Sequence, residues 1–175
     1  MAATDISPNT DNYAVYTGIL KWTPAGGVQR DCGNVSEFAL TTTVTRLPHF
    51  NARGGIGGVS YQDANPVIRV AMSVAMKMDE ITAANLQMAL LATRTEGPPI
   101  HLEMLNDPNL KGAFELDGTN FQGAKCKLIL PNVSVSANAA LNFINPTAWA
   151  EIALLAEVYG DPVTGSFGSI DWAFA

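Results

Sequence analysis

Phe38-Ala-Leu-Thr-Thr-Thr-Val-Thr-Arg46 and Val67-Ile-Arg-Val-Ala-Met-Ser-Val-Ala-Met-Lys-Met78 are the two most regular stretches of this sequence. Successive strand side chains point to opposite faces. In the first run Phe38, Leu40, Thr42 and Val44 therefore share one face, and Ala39, Thr41, Thr43 and Thr45 share the other, which Glu37 extends. The second run sets Ile68, Val70, Met72, Val74, Met76 and Met78 against Arg69, Ala71, Ser73, Ala75 and Lys77. Both read as half-buried strands with one face for a core and one for water. The segment between them, Asn51-Ala-Arg-Gly-Gly-Ile-Gly-Gly-Val-Ser-Tyr-Gln-Asp-Ala-Asn-Pro66, is too long and glycine-rich for a tight turn, so the pair reads as an extended hairpin with a flexible tip. Thr82 is then the expected N-cap of a helix running to about Ala92, with Leu86, Ala89 and Leu90 at helical spacing.

The rest of the chain is read as packing around this hairpin and helix. At 175 residues, with 47% hydrophobic and 15% charged residues, it is long and apolar enough to bury a core as one domain. Ten basic against sixteen acidic residues give a net charge of −6, which argues against binding nucleic acid by phosphate neutralisation. The start, Met-Ala-Ala-Thr-Asp, lacks the basic and apolar regions of a secretory signal, and no apolar run reaches the roughly 18 residues that span a bilayer. The chain is therefore expected to be cytosolic when made, with Cys32 and Cys126 as free thiols.

Taken in order, residues 1–12 read as a polar arm. Tyr13 to Thr23 reads as a strand weakened in its middle by Gly18 and ended by Pro24-Ala-Gly-Gly27. Beyond the helix, a short strand is expected from Ile100 to Leu105, and another from Phe114 to Leu116 turning at Asp117-Gly118. Lys125 to Ser136 reads as a strand whose apolar face changes phase at Pro131, the mark of a bulge or an edge. Leu141 to Ile144 and Trp149 to Tyr159 supply the last strands. The division is an N-terminal arm (1–12), a β domain (13–160) and a C-terminal arm (161–175) with an apolar end. The sum is a mainly β subunit, sandwich-like or barrel-like, with one flanking helix.

No arrangement of side chains reads as an active site. His49 and His101 stand in no metal-binding spacing, and neither has a partnered nucleophile in the sequence pattern. Asp79 and Glu80 precede the helix, where carboxylates meet the positive end of its dipole. Gly54-Gly-Ile-Gly-Gly58 lies between two strands and lacks the Gly-Lys-Ser/Thr ending of a phosphate loop. No enzyme activity, cofactor or metal is expected.

Cys32-Gly-Asn-Val-Ser-Glu-Phe-Ala-Leu-Thr-Thr-Thr-Val-Thr-Arg-Leu-Pro-His-Phe50, the glycine loop, and Asp79-Glu-Ile-Thr-Ala-Ala-Asn-Leu-Gln-Met-Ala-Leu-Leu91 together resemble the tail tube proteins of tailed bacteriophages. Pro131-Asn-Val-Ser-Val135 and the strand from Glu151 to Tyr159 resemble that family's closing strands, so the similarity covers roughly residues 13–160. The resemblance implies a virion protein forming sixfold rings that stack into a hollow tube for DNA delivery. It implies strands that join those of neighbouring subunits around the bore, and a long loop and arms that bridge to the next ring.

On that basis Arg53, Gly54, Gly55, Ile56, Gly57, Gly58 and Tyr61 are the expected inter-subunit loop. Glu37, Ala39, Thr41, Thr43, Thr45, Arg69, Ala71, Ser73, Ala75 and Lys77 are the expected lumen-facing residues. Glu37 is the leading acid for repelling DNA, whereas Arg69 and Lys77 weaken a purely acidic bore. The implied partners are further copies, a tape-measure protein, sheath, baseplate and terminator proteins, and phage DNA passing without specific binding. Alternatives are the tube of a phage-like injection machine, another virion β-sandwich such as a terminator or decoration protein, or, from a different class, a carbohydrate-binding sandwich or small hydrolase.

Overall fold

A computed structural model describes residues 15–50, 61–122, 125–136, 141, 143 and 147–173. It is mainly β: strands β1 (Val15–Pro24), β2 (Arg30–Asp31), β3 (Val35–Arg46), β4 (His49–Phe50), β5 (Gln62–Ala64) and β6 (Val67–Met78) precede helix α1 (Ala83–Ala89). After it come β7 (Thr93–Thr95), β8 (His101–Glu103), β9 (Lys111–Gln122), β10 (Lys125–Ser136), β11 (Ile152–Val158) and β12 (Ser169–Ala173). The main sheet runs β2-β1-β9-β10-β11-β6-β3, with β12 also on β10 and every pairing antiparallel. It curls over its apolar face, bringing Phe38 of edge strand β3 to Phe114 of β9 with ring centroids 6.2 Å apart.

The core follows the alternation. Leu20 and Trp22 of β1, Phe114 of β9, Leu128, Leu130, Val133 and Val135 of β10, and Ile152, Leu154, Ala156 and Val158 of β11 are buried together with Val74, Met76 and Met78 of β6. Each fully buried large apolar side chain contributes on the order of 1.5–3 kcal/mol. Trp22 and Phe114, at 4.7 Å between centroids, form the aromatic centre. The helix closes the cluster with Met88, while Leu86 and Ala89 pack beside it.

Thr82 caps the helix as its position predicts, its Oγ1 accepting from Asn85 N at 3.1 Å. The helix ends at Ala89, short of Ala92, because Leu91 takes a left-handed backbone (φ 47°) that cannot continue it. Asp79 and Glu80 do not act on the dipole: they lie outside the first turn and hold Asn34 instead. Asn34 Nδ2 donates to Asp79 Oδ2 at 3.0 Å, Asn34 N to Glu80 Oε2 at 3.2 Å, and Asp79 N to the Asn34 carbonyl at 3.0 Å. The preceding Gly33 has φ +78°, and a Cβ there would lie 2.0 Å from Glu80 Oε2. Only glycine fits.

Three other elements depart from the sequence expectation. Asp117-Gly118 is not a turn: β9 runs straight through it, with Gly118 opposite Gly18 of β1 and Cys126 of β10. A Cβ on Gly18 would meet the Asp117 carbonyl at 2.8 Å, and one on Gly118 the Cys126 carbonyl at 2.8 Å, so the glycines allow three strands to pack closely. The C-terminal segment expected as an arm carries β12, paired with the first half of β10 from Lys125↔Ala173 to Ile129↔Ser169. Leu141 and Phe143 belong to no strand; residues 142 and 144 lie outside the described residues.

Pro131 does mark a bulge. The register against β9 shifts between Leu130 and Val133, and there β10 exchanges β12 for β11 as its other neighbour. The Asn132 carbonyl at the bulge accepts from Tyr159 N at 2.8 Å.

Among the described residues one polar residue is buried, Asn85, and its side-chain oxygen and nitrogen are both bonded. Asn85, 1% exposed, donates through Nδ2 to the Cys32 carbonyl at 2.8 Å and the Glu80 carbonyl at 2.9 Å, and accepts from Arg30 Nη1 at 2.7 Å. Arg30 Nη2 adds a bond to the Ala84 carbonyl at 3.0 Å. One amide thus joins β2, the turn into β3 and the start of the helix. Removing it takes the partner from the Cys32 carbonyl and one bond from a partly buried guanidinium, while the Glu80 carbonyl keeps Thr82 N, so Asn85→Ala is expected to cost about 2–4 kcal/mol. Thermal unfolding checks this, with a fall in Tm of roughly 5–15 °C for a domain of this size.

Candidate functional site

The long pair β3–β6 carries the candidate surface. Its register sets Glu37 opposite Lys77, Ala39 opposite Ala75, Thr41 opposite Ser73, Thr43 opposite Ala71 and Thr45 opposite Arg69. All ten residues expected on a small, polar face therefore share one face of one ladder. Ala39, Ala71 and Ala75 are half-buried and the other seven exposed. Glu37 is not an isolated acid: its Oε2 lies 2.8 Å from Lys77 Nζ, and that bond raises the lysine's pKa, with Glu151 adding to the effect.

The face continues beyond the two strands. Across β11 and β10, Leu155 and Ser136 extend the row of Ala39 and Ala75, and Glu157 and Ser134 extend the row of Thr41 and Ser73. Exposed Glu157 is a second acid on this surface; it accepts from the Tyr159 hydroxyl at 3.1 Å, which pushes the phenol's pKa up. The sequence reading left it out, although the buried set Ile152, Leu154, Ala156 and Val158 already assigns Glu157 to the opposite side.

Toward its tip the ladder leaves the body. Residues 41–50 and 61–70 are exposed on both faces. The face that carries the core at Phe38, Leu40, Val74 and Met76 continues into Val44, Ile68 and Val70, which are 51%, 58% and 51% exposed. Leu47, Phe50 and Tyr61 are exposed as well. β3 is also the end of the sheet, so among the described residues its twelve-residue outer edge pairs with no strand. Of the expected loop residues only Tyr61 is described; Arg53, Gly54, Gly55, Ile56, Gly57 and Gly58 lie outside the described residues.

On the opposite half of the sheet, β1, β9 and β10 carry a closed set of charges. Lys21 Nζ is 2.5 Å from Asp117 Oδ2 and 3.6 Å from Glu115 Oε1, and Lys127 Nζ is 2.9 Å from Glu115 Oε1 and 3.6 Å from Asp117 Oδ1. Opposite charges alternate round the square, so this face presents little net field.

The two cysteines and two histidines lie on different segments. Cys32 is buried and its thiol is pushed up to about 11 by burial, while Cys126 is half-buried. His101 sits opposite Thr95 in the β7–β8 pair, and His49 contacts Asp63 near the hairpin tip. Depressions of about 520 Å³ beside Pro24, Lys111 and Tyr159 and about 510 Å³ beside Leu20, Phe38 and Cys126 contain no histidine. Among the described residues no group of three His, Cys, Asp or Glu is placed to hold a metal ion, and no helix is long and apolar enough to cross a membrane. No family model matches the chain, and no curated protein matches it.

The charge square gives a pH prediction. The hydrogen bond from Lys21 holds Asp117 below the usual carboxylate range, and that from Lys127 does the same for Glu115. Depressed carboxylates add stability above their unfolded pKa and lose it as pH falls through the folded value, here below about pH 4. The two lysines are shifted up, so their contribution is complete below the ordinary lysine range and is lost only in strong alkali. Urea unfolding of the parent protein and of Lys127→Met is expected to give separate midpoints at pH 6 that converge by about pH 2–3. A gap that stays constant with pH contradicts the assignment.

Proposed function

We propose that this chain is the structural subunit of a hollow protein tube, of the kind through which tailed bacteriophages deliver DNA. The single observation that carries the reading is the distal half of the β3–β6 ladder, bare on both faces and along one edge. A two-stranded ribbon is marginal alone in water, and a long exposed edge invites pairing. Neighbouring copies in a ring supply what is missing: strands beside β3 and side chains against Val44, Ile68 and Val70. Closing a ring removes the edge altogether.

The faces then have distinct uses. The surface of Ala39, Thr41, Thr43, Ala71, Ser73 and Ala75 lines the bore as a smooth, hydrated wall. Its charges, Glu37 with Lys77 and Glu157 with Arg69 nearby, offer DNA no basic track, and a net charge of −6 per copy keeps the ring acidic. The residues named for the tip reach the adjacent ring, and the sixfold symmetry, tape-measure protein and virion location follow the resemblance to tail tube proteins. The protein's work is mechanical, with no chemistry at a site.

Sedimentation velocity tests this at increasing protein concentration. The parent protein is expected to pass from monomer to large, fast-sedimenting species. Val44→Asp combined with Val70→Lys, which sets opposite charges across the ladder, is expected to remain monomeric with unchanged circular dichroism. Each substitution falls on an exposed position and alters monomer stability by roughly 0.5 kcal/mol or less. Deletion of residues 51–65 is expected to give the same result. Unaltered assembly by either variant contradicts the role given to the ribbon.

A further inference from the structure

The outer end of the hairpin is a small module set apart from the ladder below it. β3 and β6 stop at Arg46 and Val67, Pro48 and Pro66 occupy the gap, and pairing resumes with His49 opposite Ala64 and Phe50 opposite Gln62. Proline cannot donate to a ladder. The chain crosses the gap on Leu47 N donating to the Pro66 carbonyl at 3.0 Å, with Arg46 Nη1 on the Asn65 carbonyl at 3.3 Å. Beyond it, two paired residues a side are too few to hold the strands together unaided. His49 Nδ1 lies 2.5 Å from Asp63 Oδ1, so a side-chain contact ties β4 to β5 next to the glycine loop.

We propose that His49 and Asp63 form a protonation-dependent clasp that ties β4 to β5 above the two prolines. Imidazole is the side chain that changes charge between pH 5 and 8, and a charged donor makes a shorter, stronger bond to a carboxylate than a neutral one. The hydrogen bond from His49 also holds the Asp63 carboxyl below its usual range, so the acid partner stays ionised throughout that window. A depressed carboxylate loses its contribution only as pH falls through its folded value, which puts the acid limit of the clasp below the ordinary carboxylate range.

Among the described residues of the ladder the other charged groups are turned elsewhere. Arg46 is turned to Asn65, Arg69 lies on β6 opposite Thr45, and Tyr61 precedes β5. The clasp is therefore tight in mildly acid solution and relaxed above neutrality. Its consequence for assembly rests on the tube reading, in which the tip meets the next ring; the clasp itself rests on the two prolines and the contact alone.

Amide exchange at Phe50 and Gln62, measured by NMR on the full-length protein kept dilute and corrected for intrinsic rates, tests it. Protection is expected to be about two- to fivefold greater at pH 5.5 than at pH 8, the range for an exposed ion pair. The difference is expected to vanish in His49→Gln and in Asp63→Asn, both exposed positions whose substitution leaves the core untouched. Equal protection at the two pH values, or a pH effect that survives Asp63→Asn, overturns the clasp. The rate of polymerisation separates the two readings. Faster assembly at pH 5.5 that disappears in both variants supports the clasp as a regulator. pH-dependent protection in a chain that never polymerises keeps the clasp and overturns the tube, whereas polymerisation with no pH-dependent protection does the reverse.

Discussion

The pairing of β3 with β6 is longer than the core that supports it. Twelve residues a side are joined by backbone hydrogen bonds, but apolar cover ends near Leu40 and Met72, and residues 41–50 and 61–70 are open to water on both sides. Hydrogen bonds exchanged with water leave little net stability on their own, so the outer half of the ladder depends on the inner half for its register. The rest of the molecule is arranged to keep that inner half rigid.

Two polar contacts do this work at the base. Asn34 is held by Asp79 and Glu80, which ties the start of β3 to the end of β6 where the strands separate. Asn85 and Arg30 then fix the helix and β2 to the same corner. Above them Phe38 reaches Phe114 across the curled sheet, coupling the edge strand to the aromatic centre of the core. A ribbon anchored this firmly at one end and bare at the other is suited to meeting a neighbour in a fixed direction.

Much of this was legible in the sequence, where a single physical rule decides the outcome. Strict alternation placed both faces of β3 and β6, Thr82 announced the helix start, and Pro131, which lacks an N–H, announced the bulge in β10. Where two rules compete, the pattern failed. Asp117-Gly118 carries turn chemistry, yet Gly18 and Cys126 across the sheet require a residue without a side chain there, a demand set by tertiary contact. Asp79 and Glu80 satisfy the dipole rule in sequence, but Asn34, far away along the chain, claims their oxygens. β12 was hidden because its partner, β10, lies far upstream, with Lys125 opposite Ala173 and Ile129 opposite Ser169. Alternation put ten residues on one face of two strands, as the register has them, and stopped short of Glu157, since no local signal says which strand lies beside β6.

On the proposed function, the exposed ribbon is an unfinished part of a closed assembly. Electron microscopy of the purified, concentrated protein tests it most directly. Hollow tubes of stacked rings, with β3 of each subunit beside a strand of its neighbour and the face of Thr41, Ser73 and Glu157 turned to the bore, are the expected image. A monomer that persists at high concentration, or a polymer whose ribbon remains open to solvent, would contradict it.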